Sequence, residues 1–440
     1  VEREEEIENF IPEEYWNLNA NFIKDNNEYK SELKLKDKEK LDSKKLSIVI
    51  QKIEIDLLKE INFDLEKSII HSNSSIPFKV KSISQKIEFK NPPPPFKTSD
   101  FQKEASMKLG ISPSLAMGIA GNLYEGKDIG SGKKGLITYL RTDSTRVSPS
   151  AEKKAMEFWK KQGKKSFPLK NKKSGSKIQD AHEAIRPTDI NLTPQKVKPF
   201  LNSLEFKIYD LIWKRYASAF LKASSTEKTE ILFSNGNIDF LFKNFSLIDP
   251  GFKEIYGETP ENKFTHNLSE GDEVLLKQLE MEKKFTDPPS RFTESSLVAK
   301  MEKTGVGRPS TYATSIDILY KRNYVVKIKK SIEPTDLGKK VIEELILRFE
   351  QLLEDNYTSK MEDFLDKIEE GSLKRTDFLR EVDEDFHKQK NANPIRKKKM
   401  IEVQNCPICE KGILKVKKTP KKKNYKICSR FPECDFMEYI

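Results

Sequence analysis

The chain has 440 residues, of which 36% are hydrophobic and 34% charged, and it carries a formal net charge of +11. That length suits two to four domains, while no apolar run approaches the about 20 residues of a membrane span, which sets membrane-spanning classes aside. Twelve Lys/Arg against two Glu lie between Arg396 and Lys426, so nearly all of the excess charge sits in the tail, where it suits a polyanion such as nucleic acid as well as a solvated, disordered tail.

The opening VEREEEIENF reads like the middle of a helix and not like a leader peptide. The chain is therefore expected to be the C-terminal part of a longer protein, with residues 1–9 closing a helix of the preceding domain. Alternation of period two in YKSELKLK and FKVKSISQKIEFK predicts strands. Asn91–Phe96, NPPPPF, is a stiff polyproline hinge. Beyond it TSDFQKEASMKLG and SPSLAMGIAGNLYEG predict two helices joined at Gly110. Further helices follow in SAEKKAMEFWKK and LEFKIYDLIWKRYASAFL.

Strand character returns in ILFSNGNIDFLFKNFSLID and DEVLLKQLEME. The fold class expected is multidomain α+β: a β-rich arch (1–97 and 223–287) interrupted by a helical domain (98–222). TESSLVAKMEKTG and RPSTYATSIDILYKR predict two more helices, with Pro309 suited to a first helical turn. NYVVKIKKSIEPT reads as a two-stranded wing before the helix DLGKKVIEELILRFEQLL. This order fits a winged-helix-like domain over 288–390 as well as a plain bundle. A linker at 391–402 precedes a module at 403–440.

GLITYLRTDSTRVSPS, Gly135–Ser150, carries the chemistry. If extended, it puts Tyr139, Arg141 and Asp143 on one face, with Leu136, Thr138 and Leu140 on the other. Ser148-Pro149 then starts a helix. Ionising a phenol at neutral pH costs about 4 kcal/mol, which a neighbouring arginine lowers while it grips a phosphate with two parallel hydrogen bonds. A phosphotyrosyl ester exchanges one phosphodiester for another and needs no ATP. GSGKKG, Gly130–Gly135, is no phosphate-binding loop: it lacks the earlier glycine and the Ser/Thr after Gly-Lys. On spacing alone, an ordinary strand tyrosine is the favoured reading of Tyr139.

All four cysteines fall in the tail, as Cys406-x-x-Cys409 and Cys428-x5-Cys434 separated by eighteen residues. Clustered thiols point to a metal in a reducing compartment rather than to a disulfide framework. Two such pairs close a tetrahedral zinc site. Lys-rich strands with Tyr425, Phe431 and Phe436 around them suit single-stranded DNA or a purely structural ribbon.

GLITYLRTDSTRVS resembles the active-site segment of type IA DNA topoisomerases. DAHEAIRPTD, PPSRFTESSLVAKMEKTGVGRPSTYATSI and EREEEIENFIPEEYW stand in the order that family shows, and CSRFPEC is similar to its zinc ribbons, which use this wider spacing. The resemblance spans essentially the whole chain and is closest to the bacterial topoisomerase I branch. It implies a bacterial enzyme, monomeric and cytoplasmic at the nucleoid, that acts on single-stranded and negatively supercoiled DNA without ATP. Tyr139 would attack a backbone phosphate and keep the 5′ phosphate while a strand passes and the 3′ hydroxyl reseals the break. Arg141 would hold the scissile phosphate. His182, Arg291 and Arg308 would contact DNA, though by residue type alone they are a structural histidine and two surface arginines.

The resemblance also implies magnesium, bound by a glutamate and an Asp-x-Asp pair in a domain expected before Val1; Asp383–Asp385 reads as a solvated helix face. The 440 residues alone are then expected to bind DNA but to relax it poorly. Two rivals remain: a non-catalytic DNA-binding module that retains the motifs, and a different tyrosine-using strand transferase.

Overall fold

A computed structural model describes residues 1–25, 27–35, 40–52, 67–71, 77–130, 132–169, 182–236, 238–260, 263–349, 353, 357–392, 406–418 and 424–439. Most of the expected linker at 391–402, and Asp180 and Ala181 of the histidine motif, lie outside the described residues.

The chain opens with α1 (Glu2–Glu8), β1 (Glu14–Lys24), β2 (Asn27–Leu33), α2 (Ser43–Lys52), β3 (Lys67–His71) and β4 (Pro77–Lys90). In β1 the cause of the strand is plain: Trp16, Leu18, Ala20 and Phe22 are buried at every second position. A helical block follows: α3 (Thr98–Leu109), α4 (Pro113–Glu125), the hairpin β5 (Lys127–Asp128) and β6 (Lys133–Lys134), α5 (Pro149–Lys161), α6 (Pro194–Val197) and α7 (Ser203–Ser218). β7 (Ser224–Ser234), β8 (Asp239–Asp249) and β9 (Glu273–Phe285) then return the chain to the first sheet.

The large sheet is antiparallel, in the order β1-β2-β8-β7-β4-β9-β3, and β1 also pairs with β9. The hydrogen-bonded circuit of six strands therefore closes on itself, with β3 added alongside β9. Phe22, Phe78, Phe233 and Phe240 fill its core, with ring centroids 4.6–5.9 Å apart. Lys90, the last residue of β4, is the register partner of Ser224, the first of β7. The helical block thus leaves and rejoins the sheet at neighbouring strand ends.

That block has its own core, with Phe101, Leu123, Ile208, Ile212 and Phe220 among its buried members. Two indoles are satisfied within it: Trp159 donates to the Ala217 carbonyl (2.9 Å) and Trp213 to the Ile190 carbonyl (3.0 Å). Asn202 and Glu205 form a reciprocal cap at the start of α7.

The remaining elements are α8 (Glu294–Lys303), α9 (Tyr312–Lys321), the hairpin β10 (Val325–Ile328) and β11 (Ser331–Pro334), α10 (Asp336–Phe349), α11 (Tyr357–Glu369) and α12 (Arg375–Ala392). They end in a three-stranded sheet of β12 (Leu414–Lys418), β13 (Asn424–Cys428) and β14 (Met437–Tyr439). Residues 1–343 with 354–363 form one compact unit, and 344–353 with 364–440 a second. The second holds the cysteines and a stacked Phe349–Phe386 pair, 5.8 Å between centroids.

Two local expectations are corrected. Gly135–Ser148 is not a sheet strand: its one bridge joins Ile137 to Pro187. The N–H groups that would extend a ladder turn elsewhere: that of Leu136 donates to the Leu123 carbonyl and that of Arg186 to the Thr138 hydroxyl. Pro309 does not sit in a first helical turn either; it lies in the turn before α9, which starts at Tyr312 with Thr311 as its N-cap.

Candidate active site and metal centre

Although Gly135–Ser148 is no strand, its side chains alternate from Tyr139 to Ser144 as an extended chain's do. Tyr139, Arg141 and Asp143 are exposed; Leu140, Thr142 and Ser144 are buried. Single hydrogen bonds on both flanks replace a ladder. Leu136 N–H donates to the Leu123 carbonyl (2.8 Å) and Thr138 N–H to that of Arg186 (2.9 Å), while Thr188 N–H returns to Leu136 (3.0 Å).

On the other flank stands Thr98, wholly buried at the start of α3. Its hydroxyl lies 2.7 Å from the Leu140 carbonyl and accepts the Thr142 N–H at 2.8 Å, while its own N–H donates to the Thr142 carbonyl at 2.9 Å. Arg141, between those two residues, is thus carried on a backbone tied at both neighbours.

Tyr139 is 41% exposed and its ring is bracketed. Tyr124, at the end of α4, meets it edge to face with centroids 5.6 Å apart, and His182 lies against it at 5.8 Å with planes tilted by 34°. Other phenols of the block are spent on carbonyls: Tyr209 donates to Leu192 (2.7 Å) and Tyr216 to Ala151 (3.0 Å). Burial pushes Tyr216 up to about 12, so neither is a ready nucleophile.

The segment bearing His182 is anchored next door. Glu183 receives two guanidinium donors of Arg186 (2.9 and 2.6 Å) and the Ser148 N–H (3.1 Å). Burial pushes the Glu183 carboxyl up, but the Ser148 and Arg186 hydrogen bonds outweigh it and hold the group below its ordinary value. Thr138 ties the two segments together, donating to the Ala184 carbonyl (2.7 Å) and accepting from Arg186 N–H (3.0 Å).

The four cysteines converge: their sulfurs all lie within 4.8 Å of one another, with Cys406–Cys434 at 3.7 Å and Cys409–Cys428 at 3.6 Å. A tetrahedron with metal–sulfur bonds of about 2.3 Å has edges of about 3.8 Å, so the donor set fits zinc. Gly412 has no room for a side chain, since a Cβ there would stand 2.4 Å from the Cys428 sulfur, and its N–H donates to Cys409 (3.3 Å). Against burial, the N–H groups of Lys411 and Gly412 bring Cys409 down to about 6. For Cys434 the Phe436 N–H favours the thiolate, but burial and the neighbouring thiols prevail and push it up to about 12. Four thiolates cannot crowd together unaided; a divalent cation removes the conflict.

Comparison with known proteins decides the family. The family described as DNA topoisomerase matches residues 1–380, and the chain is 33% identical over 444 residues to DNA topoisomerase 1 of Campylobacter jejuni. The chain belongs to the DNA topoisomerase family, in its type IA class. It spans 61% of the length of that relative, which in turn covers 99% of this chain. The full-length topoisomerase I of Thermotoga maritima matches the whole chain with a TM-score of 0.72 at 30% identity, over 68% of its own length.

In this topoisomerase-family chain, the Tyr139 and His182 rings meet, and Arg141 is exposed two residues further along the tyrosine segment. Arg291 and Arg308 have partners of their own. Arg291 is bound by Glu4 (2.6 Å) and Glu333 (3.3 Å), and Arg308 pairs with Glu362 (3.4 Å). At the turn before α9, the Arg308 N–H that could meet an anion donates to the Thr311 hydroxyl (2.8 Å). Sequence reasoning missed Thr98 and Tyr124. No periodicity marks either; the only cue for Tyr124 is the short hairpin β5–β6, which turns the chain back so that positions 124 and 139 meet.

Proposed function

We propose that this chain carries the strand-cleaving half of a type IA topoisomerase, with Tyr139 as nucleophile. The observation that carries the reading is the half-exposed Tyr139 ring, held between Tyr124 and His182 on a segment that also presents Arg141. In the step proposed, the phenolic oxygen of Tyr139 bonds to a backbone phosphorus as the bond to the 3′ oxygen breaks. The phenolic proton ends on that 3′ oxygen, and the 5′ phosphate stays on the protein. Running the step backwards restores both, so no nucleotide energy is consumed. Arg141 grips the phosphate and offsets the charge that gathers on it, and His182 lies within reach of the same strand. Arg291 and Arg308 enter as DNA contacts whose guanidinium groups exchange Glu4, Glu333 and Glu362 for phosphate.

The division we propose is an arch (1–97 and 223–287), a helical domain (98–222), a winged-helix-like domain (288–390), a linker and a zinc ribbon that takes up single-stranded DNA. Single-stranded and negatively supercoiled DNA are the substrates, and the protein works as a monomer in the cytoplasm. Zinc, held by Cys406, Cys409, Cys428 and Cys434, supplies a cross-link to the ribbon and no chemistry. Magnesium belongs to the reading by family resemblance; among the described residues the cysteines are the only cluster of three or more His, Cys, Asp or Glu placed to hold a metal, and no step is assigned to magnesium.

The test is a DNA adduct that survives denaturant. The protein as the cell makes it, with magnesium and an oligonucleotide labelled at its 3′ end, is expected to retain label, and Tyr139→Phe to retain none. Label retained by the variant, or carried only from the 5′ end, overturns the assignment. Binding without any adduct in either protein favours a non-catalytic module.

A further inference from the structure

We infer that Tyr124 is a positioning residue for strand cleavage: its ring edge holds the Tyr139 ring in the orientation from which the phenol attacks. The inference rests on the assignment of Tyr139 as nucleophile. Tyr124 is 43% exposed and so contributes little to the core of the block. Its contact is nevertheless built from the backbone up. Leu123, wholly buried, anchors the last turn of α4 and accepts the Leu136 N–H. Gly135 lies against the Tyr124 carbonyl so closely that a Cβ there would stand 2.7 Å from the oxygen. Two chain segments are thereby clamped where their outward side chains meet, with ring centroids 5.6 Å apart and planes at 65°. That is the edge-to-face geometry aromatic pairs prefer.

The need for such a contact follows from the exposure of Tyr139. A half-exposed tyrosine outside a sheet has several staggered side-chain states, and one jump carries its oxygen through on the order of several ångströms. Cleavage needs that oxygen in line with the phosphorus, and a misplacement of about 1 Å can cost about 100-fold in rate. His182 limits the ring on one side at 5.8 Å; Tyr124 limits it from another. The hydroxyl of Tyr124 is not required, only the ring.

The experiment measures single-turnover adduct formation at saturating single-stranded oligonucleotide, and oligonucleotide binding without magnesium, for the protein as the cell makes it. Tyr124→Ala is expected to slow cleavage about 10- to 100-fold, with binding within about twofold of wild type. Tyr124→Phe is expected to restore the rate. Tyr124→Leu, which keeps bulk at the helix end should alanine loosen it, is expected to stay slow. A Tyr124→Ala rate equal to wild type overturns the inference. So does a loss matched by weaker binding, which would make Tyr124 a DNA contact, or a phenylalanine variant as slow as alanine. In each of these cases Tyr139→Phe still abolishes the adduct; if it does not, the nucleophile assignment itself fails and the inference with it.

Discussion

Thr98 illustrates how much of the site depends on one buried hydroxyl. It meets the Leu140 carbonyl and the Thr142 N–H, the two residues that flank Arg141. Thr98→Val keeps the shape but leaves the Thr142 N–H without that acceptor, which costs about 1–3 kcal/mol. The variant is expected to lose that much in urea unfolding and to cleave more slowly, while Thr98→Ser retains both; equal stability of the valine variant would show the bond to be dispensable. The exposed phenol of Tyr139 was legible as chemistry only through the long motif around it. Spacing alone leaves an ordinary tyrosine, because neither the Tyr124 edge nor the His182 ring is local in sequence. Arg291 shows the reverse: its position was legible, but its ties to Glu4 and Glu333 were not.

At the scale of elements, α3 is tied to α8 by charge as well as by packing. Glu302 on α8 meets the Ser99 hydroxyl (2.7 Å), Lys97 (2.5 Å) and Lys103 (3.2 Å). Burial pushes its carboxyl up, but the Lys97 and Ser99 bonds and the two ammonium groups prevail and hold it below its ordinary value. A lowered value in the folded chain means stability that is present above the unfolded value, about 4.3, and lost as pH falls through the folded one. Glu302→Gln is therefore expected to be less stable by about 1–3 kcal/mol at pH 7, with the gap closing in denaturant titrations below about pH 4. A gap independent of pH would deny the charge its part. The segment Gly135–Ser148 makes a second case: alternation foretold the exposed and buried faces from Tyr139 to Ser144, but not that the Leu136 and Arg186 N–H groups would turn to other acceptors and leave no ladder. Gly135→Ala must push the Tyr124 carbonyl away, so we expect slower adduct formation with unchanged zinc content.

For the whole molecule, the closed strand circuit and the helical block inserted between Lys90 and Ser224 place the tyrosine segment on a framework with its own core. The second unit depends on a different bond. Chelation, or Cys409→Ser, is expected to take zinc from about one ion per chain to none and to raise amide exchange in β13, measured by hydrogen–deuterium exchange. Slow exchange there without metal would show that the ribbon folds on its own strands. Strand and helix order, the cysteine quartet and the family were determined by the sequence itself, because burial at a period of two or near 3.6, and thiol spacing, are written within a few residues. Tertiary structure alone decided which phenols are spent on carbonyls, which arginines are held by carboxylates, and that Tyr124 faces Tyr139. Those contacts depend on where distant hydrogen bonds bring separate stretches of backbone together, and no local pattern encodes that path.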